Sequence, residues 1–220
     1  MPVIRLMIFD WDGTLMDSES HIVASMHYAM DTMGIDRLPV KDVSNIIGLG
    51  MREALDALFP AQADNDDFSH DFVAAYREYF FAKNAQQQFF DGALQVLQTM
   101  RERGMLLAVA TGKSQRGLDL VLQQHGLENY FDVTRCADTT ASKPDPLMLQ
   151  EILQALSIPT EQAVMIGDTE YDLSMAANAG THAIAANYGV HESSRLLRYQ
   201  LLGSLDSIAD LPDLMDMCCE

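Results

Sequence analysis

Residues 3 to 14 read Val3-Ile-Arg-Leu-Met-Ile-Phe-Asp-Trp-Asp-Gly-Thr14. The run up to Phe9 is apolar apart from Arg5, which suits a strand buried on both faces, as in a parallel sheet. It breaks abruptly into acids and a glycine. Similar runs recur at Leu106 to Ala110 and Ala163 to Ile166, with shorter candidates at Phe131 to Thr134 and His182 to Ala186. Helix-like segments lie near Gly92–Arg103, Ser114–His125, Pro146–Leu156 and Tyr171–Ala179, and Gly104, Gly126 and Gly180 follow three of them as C-caps. Strand alternating with helix implies an α/β fold with a doubly wound parallel sheet.

The long gap between Phe9 and Leu106 needs its own account. From Met16 to Gln88 the pattern reads as entirely helical. Ser18 is placed to cap a helix whose apolar positions Ile22, Met26, Tyr28, Ala29 and Met33 recur at helical spacing, and Met51–Phe59 and Phe68–Phe81 follow. A helical module is therefore inserted after the first strand. The expected division is a core of residues 1–15 and 89–220 and an inserted helical domain of residues 16–88.

The 220 residues are enough to bury a core without disulfides or structural metals. A net charge of −18 repels nucleic acid and anionic membranes, so neither is an expected partner. Cys136, Cys218 and Cys219 form no disulfide framework and read as reduced thiols of a cytoplasmic protein. No signal-peptide pattern and no membrane-length apolar run is seen. The expected state is a monomer or a small homo-oligomer.

Ala110-Thr-Gly-Lys-Ser114, between a strand and a helix, ends like a nucleotide-binding P-loop. That motif requires a glycine at position 107, which is Leu107, so the turn that wraps phosphates is not encoded. What remains is Thr111 at a strand end before a helix N-terminus, where open α/β sheets bind anions. Asp10 and Asp12 alternate at another strand tip, and repel by about 4 kcal/mol at 4 Å and an effective dielectric of 20. An EF-hand is excluded, because Gly13 falls at the fourth loop position. Gly167-Asp168 and Asp172 close a third strand, and Ser142-Lys143-Pro144 lies in a loop between. Taken singly, these are a polar turn, a helix cap, a first-turn acid and a solvated lysine. Taken together, they place an acidic cage, a hydroxyl and one cation on one sheet edge. That combination is a Mg²⁺ site beside a phosphoryl site.

With those residues in view, the sequence resembles the haloacid dehalogenase superfamily over essentially its whole length. The matching motifs are Phe9-Asp-x-Asp-Gly-Thr14, Ala110-Thr111-Gly112, Lys143-Pro144 and Gly167-Asp-x-x-x-Asp172. The insertion looks like the C1-type cap of the phosphoglycolate phosphatase-like subgroup. The resemblance implies a Rossmann-like core, a mobile cap, Mg²⁺ and a small phosphorylated metabolite as substrate. It casts Asp10 as nucleophile and Asp12 as general acid and base. Asp10, Asp12 through its carbonyl, Asp168 and Asp172 become metal ligands. Thr111, Gly112, Gly13 and Lys143 bind the phosphate. Ile47-Gly48-Leu49-Gly50-Met51 resembles the family's specificity loop, and Arg52 beside it is a candidate to meet a substrate carboxylate.

Asp12 favours phosphoryl chemistry over dehalogenation or phosphonate cleavage. A sugar-phosphate mutase, a pyrophosphatase and a nucleotidase stay open as alternatives, although Ile22 stands where mutases carry a histidine and His21 faces elsewhere. A phospho-aspartate receiver switch is disfavoured by Asp168 and Asp172. His125 and His191 read as surface residues, and Trp11 has no assigned role.

Overall fold

A computed structural model of the chain describes residues 3–83 and 88–219, with Cys218 and Cys219 described by backbone alone. The core strands are β1 (Leu6–Phe9), β4 (Leu106–Thr111), β5 (Val133–Cys136), β6 (Ala163–Gly167), β7 (His182–Ala186) and β8 (Gly203–Leu205). They form a six-stranded sheet in the order β5-β4-β1-β6-β7-β8, and all its pairings are parallel. The fold is α/β, a doubly wound Rossmann-like sheet.

The continuous apolar runs follow from burial on both faces. In β1, Met7 and Phe9 face one core while Leu6 and Ile8 face the other. Leu107 and Val109 of β4, and Val164 and Ile166 of β6, join the first core. Ala108, Ala110, Ala163 and Met165 join the second. The first core is closed by α5 (Ala93–Glu102), α6 (Gln115–His125) and α10 (Leu211–Cys219). The second is closed by α7 (Leu147–Leu156), α8 (Glu170–Ala179) and the short α9 (Ser193–Leu196).

The inserted segment carries α1 (Glu19–Thr32), α2 (Val40–Ser44), α3 (Met51–Leu58) and α4 (Asp66–Ala82) around a third core of its own. Phe72 is fully buried there, with ring centroids 5.4 Å from Phe59 and 5.8 Å from Phe68. The segment is not helical throughout, as the sequence pattern implies. Its entry and exit pair as an antiparallel ribbon, β2 (Met16–Asp17) with β3 (Gln88–Phe89). Two chains crossing side by side satisfy each other's backbone groups, a long-range pairing that no local pattern encodes. Trp11 sets its ring edge-on to Phe89 at 5.7 Å and to Phe131 at 6.0 Å, so it braces the ribbon against the first core.

Other boundaries shift. Val3 is exposed and β1 starts at Leu6. β5 begins two residues later than the apolar pattern suggests, because Phe131 packs on Trp11 and the Asp132 carboxylate accepts from Leu107 N at 2.9 Å. Among the described residues no helix is long and apolar enough to cross a membrane.

Phe72→Ala should cost about 3–5 kcal/mol, the usual range for emptying a buried aromatic site. Urea denaturation measures this, and a loss below about 1 kcal/mol would show that the third core collapses around the cavity.

Candidate active site

Parallel strands put their carboxyl ends on one edge, and three of those ends meet here. Asp10 follows β1, Thr111 ends β4 and Asp168 follows β6. Lys143 comes from the loop between β5 and α7, and Asp172 from the first turn of α8. The strand order reverses around β1, the crevice where open α/β sheets bind ligands.

Lys143 Nζ lies 2.8 Å from Asp10 Oδ1 and 2.6 Å from Asp172 Oδ1. Asp10, Asp168, Asp172 and Lys143 are all at most 1% exposed. Asp168 is held by the Thr14 hydroxyl at 2.7 Å and by Val190 N at 2.8 Å. Asp172 has two tasks. Its Oδ2 accepts from Thr169 N and Oγ1, closing a capping box on α8, while Oδ1 faces Lys143. Thr169, not Asp168, is the N-cap.

One ammonium does not balance three buried carboxylates. Asp10 is held well above the usual carboxylate range, first by burial and then by Asp172 and Asp168, against the pull of Lys143. Asp168 is pushed up to about 7 by burial and by Asp172. Burial draws Lys143 down, but Asp10 and Asp172 override it and hold the lysine above its ordinary value. Ligand atoms of Asp10, Asp168 and Asp172 lie within 4.8 Å of one another, and the buried Asp10 Oδ2 has no hydrogen-bond partner. An all-oxygen donor set with surplus negative charge fits a hard divalent cation.

Asp12 faces different neighbours. Its Oδ1 accepts from Ser18 Oγ at 2.7 Å and Lys113 Nζ at 3.0 Å, and its Oδ2 lies 2.9 Å from the same ammonium. Ser18 occupies the N-cap position of α1 yet makes no side-chain cap bond, because its hydroxyl is turned to Asp12. Gly13 is required for two reasons. Its φ is +85°, and a Cβ would sit 2.3 Å from the Asp168 carboxylate.

The loop before α3 closes over this edge. A Cβ on Gly112 would meet Leu49 O at 2.4 Å and Gly48 O at 2.5 Å, and Gly50 N donates to Ser142 Oγ at 2.7 Å. Beneath lies a cavity of ≈ 100 Å³ bordered by Asp10, Asp12, Thr111 and Lys113 from the sheet edge and by Ile22, Leu49 and Phe80 from the insertion. Gly48 and Leu49 line it, whereas Arg52 does not. The Arg52 side chain is 66% exposed and lies 3.9 Å from Asp66.

Several participants were not singled out from sequence. Lys113 belongs to no intact P-loop, and its signal in the sequence is its place two residues after Thr111. Val190 and Tyr188 come from the loop after β7. Val190 N fixes Asp168, and Tyr188 OH donates to Thr14 O at 2.8 Å. Their sequence carries no visible motif. His191, expected at the surface, is 3% exposed. Its Nδ1 accepts from Glu170 N and its Nε2 pairs with Asn45 O, while burial holds the ring below the ordinary histidine value.

The chain belongs to the haloacid dehalogenase-like hydrolases, whose family model matches residues 7–186. It is 26% identical over 214 residues to the pyrophosphatase PpaX of Halalkalibacterium halodurans, covering 96% of this chain and 97% of that protein. It is 27% identical over 195 residues to a phosphoglycolate phosphatase of Agrobacterium fabrum, covering 86% of this chain and 82% of that one. The solved structure of a hydrolase from Pseudomonas syringae superposes with a TM-score of 0.87 at 22% identity, covering 96% of this chain and 98% of that one. That last likeness shows a shared fold.

The acid cluster makes stability depend on pH. Asp10 and Asp168 bind protons more tightly folded than unfolded, so their contribution is complete below about pH 4 and is lost as pH rises through their raised folded-state values, about 7 for Asp168. In EDTA the melting temperature should therefore fall between pH 5 and pH 8. Mg²⁺ should restore it at pH 8 and do little at pH 5, and Asp168→Asn should flatten the slope. A metal-free melting temperature that climbs over this window would refute the assignment.

Proposed function

We propose that this protein is a Mg²⁺-dependent phosphatase that hydrolyses a small phosphorylated metabolite through an aspartyl-phosphate on Asp10. The observation that carries the reading is the placement of Asp10. One of its oxygens is fixed by Lys143, the other is buried without a partner, and the residue borders the cavity that Thr111 and Asp12 also line.

The chemistry follows from those positions. Asp10 attacks phosphorus and the ester P–O bond breaks. Asp12 gives its proton to the departing oxygen, then takes one from the water that attacks the aspartyl-phosphate. Inorganic phosphate leaves and Asp10 is regenerated. Thr111, Lys143 and the backbone amides at Gly13 and Gly112 hold the phosphoryl oxygens, with Lys143 offsetting charge on nucleophile and transferring group. The Asp10 and Asp168 side chains and the Asp12 carbonyl would hold Mg²⁺, with Asp172 beside them. When bound, the ion supplies the positive charge that lets a phosphate dianion approach carboxylates.

Residues 16–88 serve as the cap and residues 1–15 and 89–220 as the catalytic core. Gly48, Leu49 and Gly50 bring the cap onto the core, and Arg52 is left to the surface. Hydrolysis is favoured over mutase chemistry because Ile22 lines the cavity, while His21 pairs its Nε2 with Phe80 O at 3.1 Å. The name of the Agrobacterium relative points to phosphoglycolate-like substrates, and that of PpaX to pyrophosphate. The reduced state of buried Cys136 fits the cytoplasm.

With Mg²⁺ the protein should turn over p-nitrophenyl phosphate many times, and EDTA should stop it. Asp12→Ala should lower kcat by about 10²–10⁴-fold, the usual contribution of a general acid. Asp10→Asn should leave no measurable turnover. Release of no more than one equivalent of product would instead indicate a phospho-aspartate switch.

A further inference from the structure

Lys113 is a buried cation that the steps above do not use. Its side chain is 6% exposed, its ammonium lies within 3.0 Å of both Asp12 oxygens, and it sits 4.8 Å from the centroid of the Phe80 ring on α4. It lines the same cavity as Asp10 and Thr111. Lys143 is already taken up by Asp10 and Asp172, so the two lysines serve different carboxylates.

The pairing has a consequence for catalysis. Asp12 cannot keep both oxygens on Lys113 and also present one to a departing oxygen. Once Asp12 turns, Lys113 is buried without a counter-charge, which is costly. Among the described residues, the only acids bordering the cavity are Asp10 and Asp12, and Asp10 is engaged by Lys143. The replacement anion must therefore arrive with the substrate. The transferring phosphoryl group is directed to Asp10, Thr111 and Lys143, which leaves the leaving group as the source.

Resting on the phosphatase reading, we infer that Lys113 is a specificity-determining residue that binds an anionic substituent of the leaving group, a carboxylate or a second phosphate. The cavity of ≈ 100 Å³ limits that leaving group to a compact one. Ile22, Met26 and Phe80 make part of its wall apolar, while Tyr76 and Arg77 also border it. Substrate entry exchanges one carboxylate for another anion on Lys113 and frees Asp12 where it is needed.

The test compares kcat/KM for 2-phosphoglycolate, pyrophosphate and ethyl phosphate, a monoester of similar size whose leaving group carries no charge, each with Mg²⁺. The wild-type protein should prefer at least one anionic substrate to ethyl phosphate, and which one identifies the substituent. Lys113→Met should reduce that preference by about 30-fold or more, mainly through KM, as expected for removing one member of a buried charge pair. Lys113→Arg should retain most of it. An equal preference in wild type and Lys113→Met overturns the inference. So does a wild-type preference for ethyl phosphate, which needs no variant to fold. Turnover of these substrates with an unaltered ratio sinks the role of Lys113 alone. Absence of turnover on all three sinks the phosphatase reading with it.

Discussion

Everything at the sheet edge depends on one buried ammonium. Lys143 bridges Asp10 and Asp172, which come from strand and helix positions far apart in the chain. A buried ion pair is seldom a net source of stability, but breaking one leaves a charge stranded and is costly. The bridge is better understood as a positional device. It fixes one Asp10 oxygen and leaves the other free, at the tip of the central strand of the sheet. Because Asp168 adds a third acid with no cation of its own, the cluster retains excess negative charge. The protein thus tolerates a local electrostatic strain that a divalent cation would relieve.

The inserted helices share that edge through backbone contacts as much as through side chains. Leu49 O and Gly48 O approach Gly112 so closely that no Cβ would fit. On the other flank, Asn45 is gripped from the core. Arg195 reaches its side-chain oxygen at 2.5 Å, and Tyr171 OH and His191 meet its carbonyl at 3.0 and 3.2 Å. His191 and Tyr171 stand next to the segments that carry Val190 and Asp172. A change in how the insertion seats is therefore felt by the same short loops that hold Asp168 and Asp172.

Much of this was legible in the sequence because the fold repeats a simple physical rule. Strands buried on both faces must be apolar at every position, so β1, β4 and β6 announced themselves. Chemistry at their carboxyl ends then had to converge. The acids at 10, 12, 168 and 172, with Thr111 and Lys143, fall within this rule. What escaped is long-range or backbone-mediated. The β2–β3 ribbon joins residues more than seventy positions apart with two residue pairs. Val190 contributes an amide, which leaves no trace in residue type. His191 is buried although a lone histidine says nothing about burial until the loop after β7 is folded over α8. Arg52 was carried to the site by its place beside the loop, but helix geometry turns it toward Asp66.

The triplet Gly112-Lys113-Ser114 shows how far context decides chemistry. In a P-loop these residue types would wrap a nucleotide's phosphates. Here the wrapping turn is absent because β4 runs straight through Leu107, and each residue is put to a separate use. Gly112 admits two carbonyls from the insertion. Ser114 caps α6 by accepting from Gly117 N at 3.2 Å. Lys113, freed from any phosphate cradle, reaches across to Asp12. The lysine that would mark a nucleotide site in one fold therefore sits beside the Asp12 carboxylate in this one. In both folds the lysine follows a strand end and precedes a helix N-terminus, where a protein gathers positive potential.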